Sequence, residues 1–293
     1  MRRPTRFLAA VIPAVMAMLL SACSGSPSAP TSQLSIVAST PVWASVAQAI
    51  AGTDARVTSL IQSGAGNPHD YAAGAADLLA VERADIVLAN GNGYDDFVEQ
   101  LIDASSTSAS VVRASDLTAR TDDNEHYWFD IETVRAVALA IRDAMSAARP
   151  EVAAEVNERF TAFAGGLDEI QSRVLALAAH GPHSVLMTEP LPEYLFADAG
   201  FENVTPETLS RAVEDGNEIP ALALQSAQAV LAEGGVSILA INASELSAQT
   251  EALRDVAKTS GVPVIEATES LPDGTSYLAW LAGIVTQIER SHD

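Results

Sequence analysis

The feature that most constrains the fold is a long helical pattern near the middle of the chain. Eight apolar residues from Val152 to Leu177 follow one another in steps of three or four, which is the spacing of one face of an α-helix. At 1.5 Å per residue, a helix over residues 151–178 would be roughly 42 Å long. Gly165 and Gly166 weaken it by about 1 kcal/mol each, but the periodicity continues through them. Such a helix either forms the core of one domain or joins two lobes.

Short apolar runs alternate with helical patterns on both sides of this segment. Within each run the residues are apolar throughout and do not alternate with polar ones. This is typical of parallel strands that are covered on both faces, and such strands are joined by right-handed crossovers. We therefore predict an α/β fold with two lobes of parallel sheet flanked by helices and joined by one long rigid helix, which would allow only modest opening. No sequence repeat relates the halves. The predicted strands are 35–38, 57–61, 85–88, 110–112, 184–187, 236–241 and 262–265, and the predicted helices are 40–50, 73–81, 94–102, 131–148, 151–178, 193–199, 221–233, 247–260 and 277–290.

The N-terminus has the pattern of an export signal. Three arginines precede the apolar stretch 7–20, which is shorter than the ~20 residues that span a bilayer. Leu20-Ser21-Ala22-Cys23 then resembles a bacterial lipobox, which implies cleavage before Cys23 and lipid on that residue; the alternative is a plain secretory signal. We expect an extracytoplasmic protein, lipid-anchored to the bacterial cell membrane. The predicted divisions are a signal peptide (1–22), a lipidated flexible tether (23–33), an N-terminal lobe (34–148), a linking helix (149–180) and a C-terminal lobe (181–293).

The charge of the chain favours cations as ligands. The formal net charge is −22, and removal of residues 1–22 makes it −25 because that segment carries three arginines and no acidic residue. A surface of this sign is a poor partner for nucleic acid and raises the local concentration of cations. Cys23 is the only cysteine, so disulfides and thiolate metal sites are excluded. We expect a monomer that binds no nucleic acid.

Two histidines and two glutamates lie where a parallel sheet binds ligands. His69 follows the second predicted strand, and His126 precedes a predicted helix beside aromatic residues. Glu189 and Glu269 each follow an apolar strand, at the carboxyl edge where such sheets bind ligands. Asp273 competes with Glu269 for this role. Each of these residues could also be an ordinary loop residue, and the other three histidines need no special role.

Several motifs together resemble the zinc/manganese solute-binding lipoproteins of ABC importers, from about Leu34 to the C-terminus. Asn67-Pro68-His69-Asp70-Tyr71 is similar to the family's first ligand motif. The second motif usually contains Asn-Pro-His, and here Glu125 stands in place of the proline. The remaining similarities are Ala38-Ser39-Thr40-Pro41-Val42-Trp43, Arg83-Ala84-Asp85-Ile86-Val87, Asn90-Gly91-Asn92-Gly93-Tyr94-Asp95-Asp96-Phe97, His126-Tyr127-Trp128-Phe129-Asp130, Glu189-Pro190-Leu191-Pro192-Glu193-Tyr194 and Thr268-Glu269-Ser270.

The resemblance implies a metal site and a function. It implies that His69, His126, Glu189 and Glu269 bind one divalent cation in the cleft between two lobes. Carboxylate oxygens suit Mn²⁺, whereas Zn²⁺ accepts the same ligands and generally binds more tightly, so the ion stays open between these two, with Fe²⁺ a further option. The implied function is high-affinity capture of the metal and delivery to an ABC transporter permease, without catalysis.

Two other functions are compatible with the same residues. A surface metalloenzyme could use two histidines and one carboxylate with an open position for water. The chain contains no His-Glu-x-x-His motif and no nucleophile elbow. A surface protein of cell adhesion could instead keep a structural metal, and loss of the metal would then unfold it. A fourth protein ligand would favour transport over catalysis.

Overall fold

The computed structural model describes residues 33–62, 68–181 and 183–291. Its first half contains β1 (Leu34–Ala38), α1 (Pro41–Ala51), β2 (Ala55–Ser59), α2 (Ala75–Glu82), β3 (Ile86–Ala89), α3 (Asp96–Ala104), β4 (Ser110–Arg113), α4 (Ala114–Leu117) and α5 (Ile131–Ala148). The long helix α6 (Ala153–Leu177) follows. The second half contains β5 (His183–Met187), α7 (Glu193–Asp198), β6 (Phe201–Asn203), α8 (Glu207–Glu214), α9 (Ala221–Ala232), β7 (Ile238–Asn242), α10 (Ala248–Ser260), β8 (Val264–Ala267) and α11 (Tyr277–Arg290).

The described strands form two parallel four-stranded sheets with the same topology. Their orders are β2-β1-β3-β4 and β6-β5-β7-β8, so in each half the first strand lies between the second and the third. The two halves therefore repeat one arrangement although their sequences do not. Every residue of β3 and β7 is buried, which explains their uninterrupted apolar sequences. The predicted fold class is confirmed.

Helix α6 packs along both halves and joins their cores. Its buried face includes Phe163 and Leu167, and one continuous hydrophobic core contains this face together with Ile36 of β1 and Val185 of β5. Ion pairs fix the helix on each side: Arg159 Nη2 lies 2.5 Å from Asp54 Oδ2, and Arg173 Nη2 lies 2.7 Å from Glu289 Oε2. The relation between the two sheets is thus held by side-chain packing along the length of α6. The lobe boundaries at residues 148 and 181 stay a prediction.

Two elements of the second half were absent from the predictions. The strand β6 has three residues, of which only Phe201 is buried, so its apolar signal is weak. The short helix α8 buries Leu209 and Val213, which are four residues apart, between Pro206 and Gly216. That spacing and those flanking residues are typical helix signals, and they could have identified α8 from the sequence.

The N-terminal predictions concern residues that the structure does not describe. The signal peptide (1–22), the lipidated Cys23 and all of the tether except Gln33 lie outside the described ranges. Within those ranges, no helix combines the length and apolarity needed to cross a bilayer.

Candidate metal centre

The four predicted ligands lie at the ends of strands or beside short 3-10 turns. His69 is in the turn Pro68–Asp70 beyond β2, and His126 directly precedes the turn Tyr127–Phe129. Glu189 follows β5 by two residues and Glu269 follows β8 by two residues. Glu189 and Glu269 thus lie beyond the carboxyl ends of parallel strands, which is where such sheets bind ligands.

One amide holds the two carboxylates of the second half. Asn242, the last residue of β7, donates from Nδ2 to Glu189 Oε2 at 2.6 Å and to Glu269 Oε1 at 3.1 Å. Tyr94 of the first half donates its hydroxyl to Glu269 Oε2 at 3.4 Å. Burial, followed by the charge of Glu189, raises the pKa of Glu269 to about 7. Two like charges are held together here, and a divalent cation would relieve their repulsion.

The imidazole of His126 is oriented toward these carboxylates. Its ring is buried, and Nδ1 lies 2.6 Å from Asn124 Oδ1. The Asn124 amide donates from Nδ2 to the carbonyl of Pro190 at 3.0 Å, so its oxygen faces His126 and Nδ1 carries the proton. Nε2 is then the ring atom that could accept a metal, and it lies 3.7 Å from Glu189 Oε1. Burial lowers the pKa of His126, but the Glu189 carboxylate outweighs it and the pKa is raised.

His69 interacts with Glu125 in this structure. Its Nε2 lies 2.7 Å from Glu125 Oε1, and this hydrogen bond is the main reason why the pKa of His69 rises to about 9. The ring meets Tyr94 edge-on, with 5.4 Å between centroids. His69 therefore lies beside the cleft with its Nε2 paired, and binding of a cation through that atom requires separation from Glu125.

Aromatic and amide groups fix the loop that carries Glu125. Tyr94 packs against Trp128, with 4.7 Å between ring centroids, and both are buried. Asn90 accepts a hydrogen bond from Trp43 Nε1 at 3.2 Å and donates from Nδ2 to the Glu125 carbonyl at 2.9 Å. These contacts hold the loop although Glu125 replaces the proline of the resembled motif.

The structure adds one carboxylate that the sequence analysis missed. Among the residues that it describes, the one trio of His, Cys, Asp or Glu whose ligand atoms all lie within 4.8 Å of one another is Glu125, His126 and Glu214. Glu214 ends α8, so it was missed together with that helix. Burial raises the pKa of Glu214. The four predicted ligands do not form such a set: His126 Nε2 lies 3.7 Å from Glu189 Oε1, and His69 faces Glu125.

The competing residue Asp273 lies elsewhere. It is exposed and lines a separate cavity of about 280 Å³ together with Pro41 and Gly274. Glu269, in contrast, contacts Asn242 and Tyr94 within the cleft. The geometry favours Glu269 over Asp273 as a ligand.

Comparison with known protein families shows to which family the chain belongs. The family model described as zinc-uptake complex component A, periplasmic (ZnuA), matches residues 36–291. The chain belongs to this family. The match covers both sheets, α6 and all four predicted ligands.

Individual relatives and a solved structure are similar to the chain. A Thermotoga maritima protein whose name describes it as metal-binding is 28% identical over 167 residues, which are 56% of this chain and 61% of the relative. The manganese-binding lipoprotein MntA of Halalkalibacterium halodurans is 25% identical over 229 residues, 70% of this chain and 75% of the relative. The periplasmic zinc-binding protein TroA of Treponema pallidum superposes with a TM-score of 0.72 at 22% identity, covering 88% of this chain and 97% of TroA. This last likeness establishes the fold.

Proposed function

We propose that this protein captures a divalent transition metal outside the cytoplasm and delivers it to the permease of an ABC importer. The observation that carries the proposal is that His126 Nε2 lies 3.7 Å from Glu189 Oε1, while Asn242 joins that carboxylate to Glu269. Asn242 holds those carboxylates together, and two adjacent carboxylates favour a cation between them. Membership of the ZnuA family supports the same function.

The proposed ligands are His69, His126, Glu189 and Glu269. His69 is paired with Glu125, and a cation would take the place of that carboxylate as the partner of Nε2. Two imidazoles and two carboxylates suit Mn²⁺ or Zn²⁺. The relatives include one named for manganese and one named for zinc, in agreement with this ligand set.

Four protein ligands would leave no open position for a substrate, which favours transport over catalysis. We therefore propose a binding protein rather than an enzyme. The proposed anchor is lipid on Cys23, followed by the tether, and the proposed state is a monomer. The acidic charge of the chain agrees with a cation as the ligand and disfavours nucleic acid.

The proposal is tested by metal content and affinity. We expect elemental analysis of the purified protein to find about one Mn or Zn per chain, and calorimetry with each ion to give one tight site. His126→Ala is expected to weaken binding at least 100-fold, because a buried imidazole 3.7 Å from the Glu189 carboxylate is lost. The matched control is His183→Ala, since His183 packs on Phe201 at the start of β5, away from the cleft.

The outcomes separate transport from the alternatives. Circular dichroism should show that His126→Ala keeps its helical content and melts cooperatively, as expected for a cargo ion rather than a structural one. Unchanged affinity in His126→Ala would overturn the proposed site. Unfolding of the unaltered protein on removal of metal would favour a structural ion instead.

A further inference from the structure

A second group of potential ligands lies at the mouth of the cleft. Glu125 belongs to the loop that enters the Tyr127–Phe129 turn, and Glu214 ends α8 in the second half. One ligand atom from each of these residues and one from His126 lie within 4.8 Å of one another. None of the inner carboxylates belongs to this trio.

The spacing of this trio fits a cation. Metal–ligand distances of about 2.0–2.2 Å allow two ligand atoms on one ion to be at most about 4.4 Å apart. A limit of 4.8 Å therefore leaves only a few tenths of an ångström for the side chains to close. The trio combines a buried imidazole with carboxylates from both halves, so it is more than a cluster of surface acids.

The two glutamates of the trio line a cavity large enough for a hydrated ion. Glu125 and Glu214 line a cavity of about 510 Å³, together with His69, Asp123 and Glu245. Six waters at their liquid volume of about 30 Å³ each would occupy about 180 Å³. A divalent cation could thus enter with its water shell and exchange waters for carboxylate oxygens stepwise.

We propose that Glu125, His126 and Glu214 form an outer cation position that receives the metal before it moves to the inner position. This inference rests on the proposed function, because the inner position is the set of His69, His126, Glu189 and Glu269. The ion class is a divalent cation that accepts oxygen-rich coordination, of which Mn²⁺ is the probe of choice.

Shared residues couple the two positions. His126 offers a single ligand atom, Nε2, because Nδ1 is bonded to Asn124, so the two positions are occupied in turn rather than together. Glu125 is also the partner of His69. A cation that binds Glu125 at the outer position weakens this pair and makes His69 Nε2 available for the inner position.

The test isolates the outer position by disabling the inner one. In Glu189→Gln/Glu269→Gln protein, calorimetry with Mn²⁺ should detect one site at least 100-fold weaker than in the unaltered protein. Adding Glu214→Gln should weaken this residual site at least a further tenfold. The matched control is Glu218→Gln, which removes one charge from an exposed glutamate four residues away and should change the residual site less than twofold.

Kinetics provide the second measurement. With the inner ligands intact, stopped-flow mixing with Mn²⁺ should show association at least five times slower for Glu214→Gln than for Glu218→Gln. Equal effects of these two variants, in both assays, would overturn the outer position and leave the proposed function standing. If Glu189→Gln/Glu269→Gln binds as tightly as the unaltered protein, the inner site and the proposed function fail instead. Circular dichroism confirms folding, and Glu125→Gln is a second variant of the outer trio that should reproduce the loss.

Discussion

Metal binding to this protein should release protons, and Glu125 should control how many. Ligands bind a metal as neutral imidazole or as carboxylate, so any proton that they carry must leave. With a pKa of about 9, His69 is about 99% protonated at pH 7, and Glu269, with a pKa of about 7, is about half protonated. His126, whose pKa is raised above 6.5, contributes at least about a quarter of a proton more.

The expected release at pH 7 is therefore between about 1.7 and 2.5 protons per metal ion. The sign follows directly: protons compete with the cation, so affinity rises with pH. A release of about 1.7 protons means that the apparent Kd falls about 50-fold from pH 6.5 to pH 7.5. Calorimetry in buffers of different ionisation enthalpy measures the number, because the observed heat changes in proportion to the protons taken up by the buffer.

The variant Glu125→Gln tests whether His69 releases the largest share of these protons. Without the carboxylate that pairs with His69, the pKa of this imidazole should return toward 6.5, and His69 would be only about a quarter protonated at pH 7. The release should then fall by about 0.75 proton. Asp123→Asn is the control, because Asp123 lines the same cavity and its substitution also removes one negative charge. Equal proton release in Glu125→Gln and the unaltered protein would refute the reasoning.

Three further predictions concern the helix α6 and the support of the ligands. Leu167→Ala should lower the free energy of unfolding by about 2–5 kcal/mol, because this side chain is wholly buried, whereas Leu175→Ala at a side chain 54% exposed should change it by less than about 0.5 kcal/mol in urea titrations. Gly165→Ala should raise the free energy of unfolding by about 1 kcal/mol, since its added Cβ meets no described atom within 4 Å. Gly166→Ala should not give this gain in the same titrations, because its Cβ would lie 2.6 Å from a leucine Cδ1 of α11. Asn242→Ala removes the amide that holds both carboxylates and should weaken Mn²⁺ binding about tenfold by calorimetry, with some loss of melting temperature because buried polar groups lose their partner; unchanged affinity would contradict its positioning role.

The sequence predicted those parts of the fold that depend on periodicity. The apolar steps of α6 and the uninterrupted apolar runs of β3 and β7 reflect burial that recurs at regular spacing, so their positions follow from the chain alone. The strand β6 and the helix α8 have few buried residues and give a weak signal. Glu214 was missed for that reason.

Contacts between distant loops could not be predicted in the same way. Glu125 was noted only as a residue in place of a proline, and nothing in its neighbours indicates that it pairs with His69, 56 positions earlier. The bridging amide of Asn242 lies one residue beyond the predicted strand 236–241. These pairings depend on how loops from separate strands meet at one edge of a sheet, and local sequence carries no information about that meeting.

The proposed ligands contact one another and their neighbours in this structure. Glu125 pairs with His69, Glu189 faces His126, and Asn242 bonds both inner carboxylates. A cation therefore replaces internal partners, so its net affinity is a difference between two sets of protein contacts. Because one core continues along α6 into both sheets, we expect metal binding to exchange side-chain partners rather than to close the halves widely. Crystal structures with and without Mn²⁺ should thus superpose over both sheets within about 1 Å, with the largest change at the His69 and Glu125 side chains. A large rotation of one sheet against the other would contradict this view of α6 as a rigid connection.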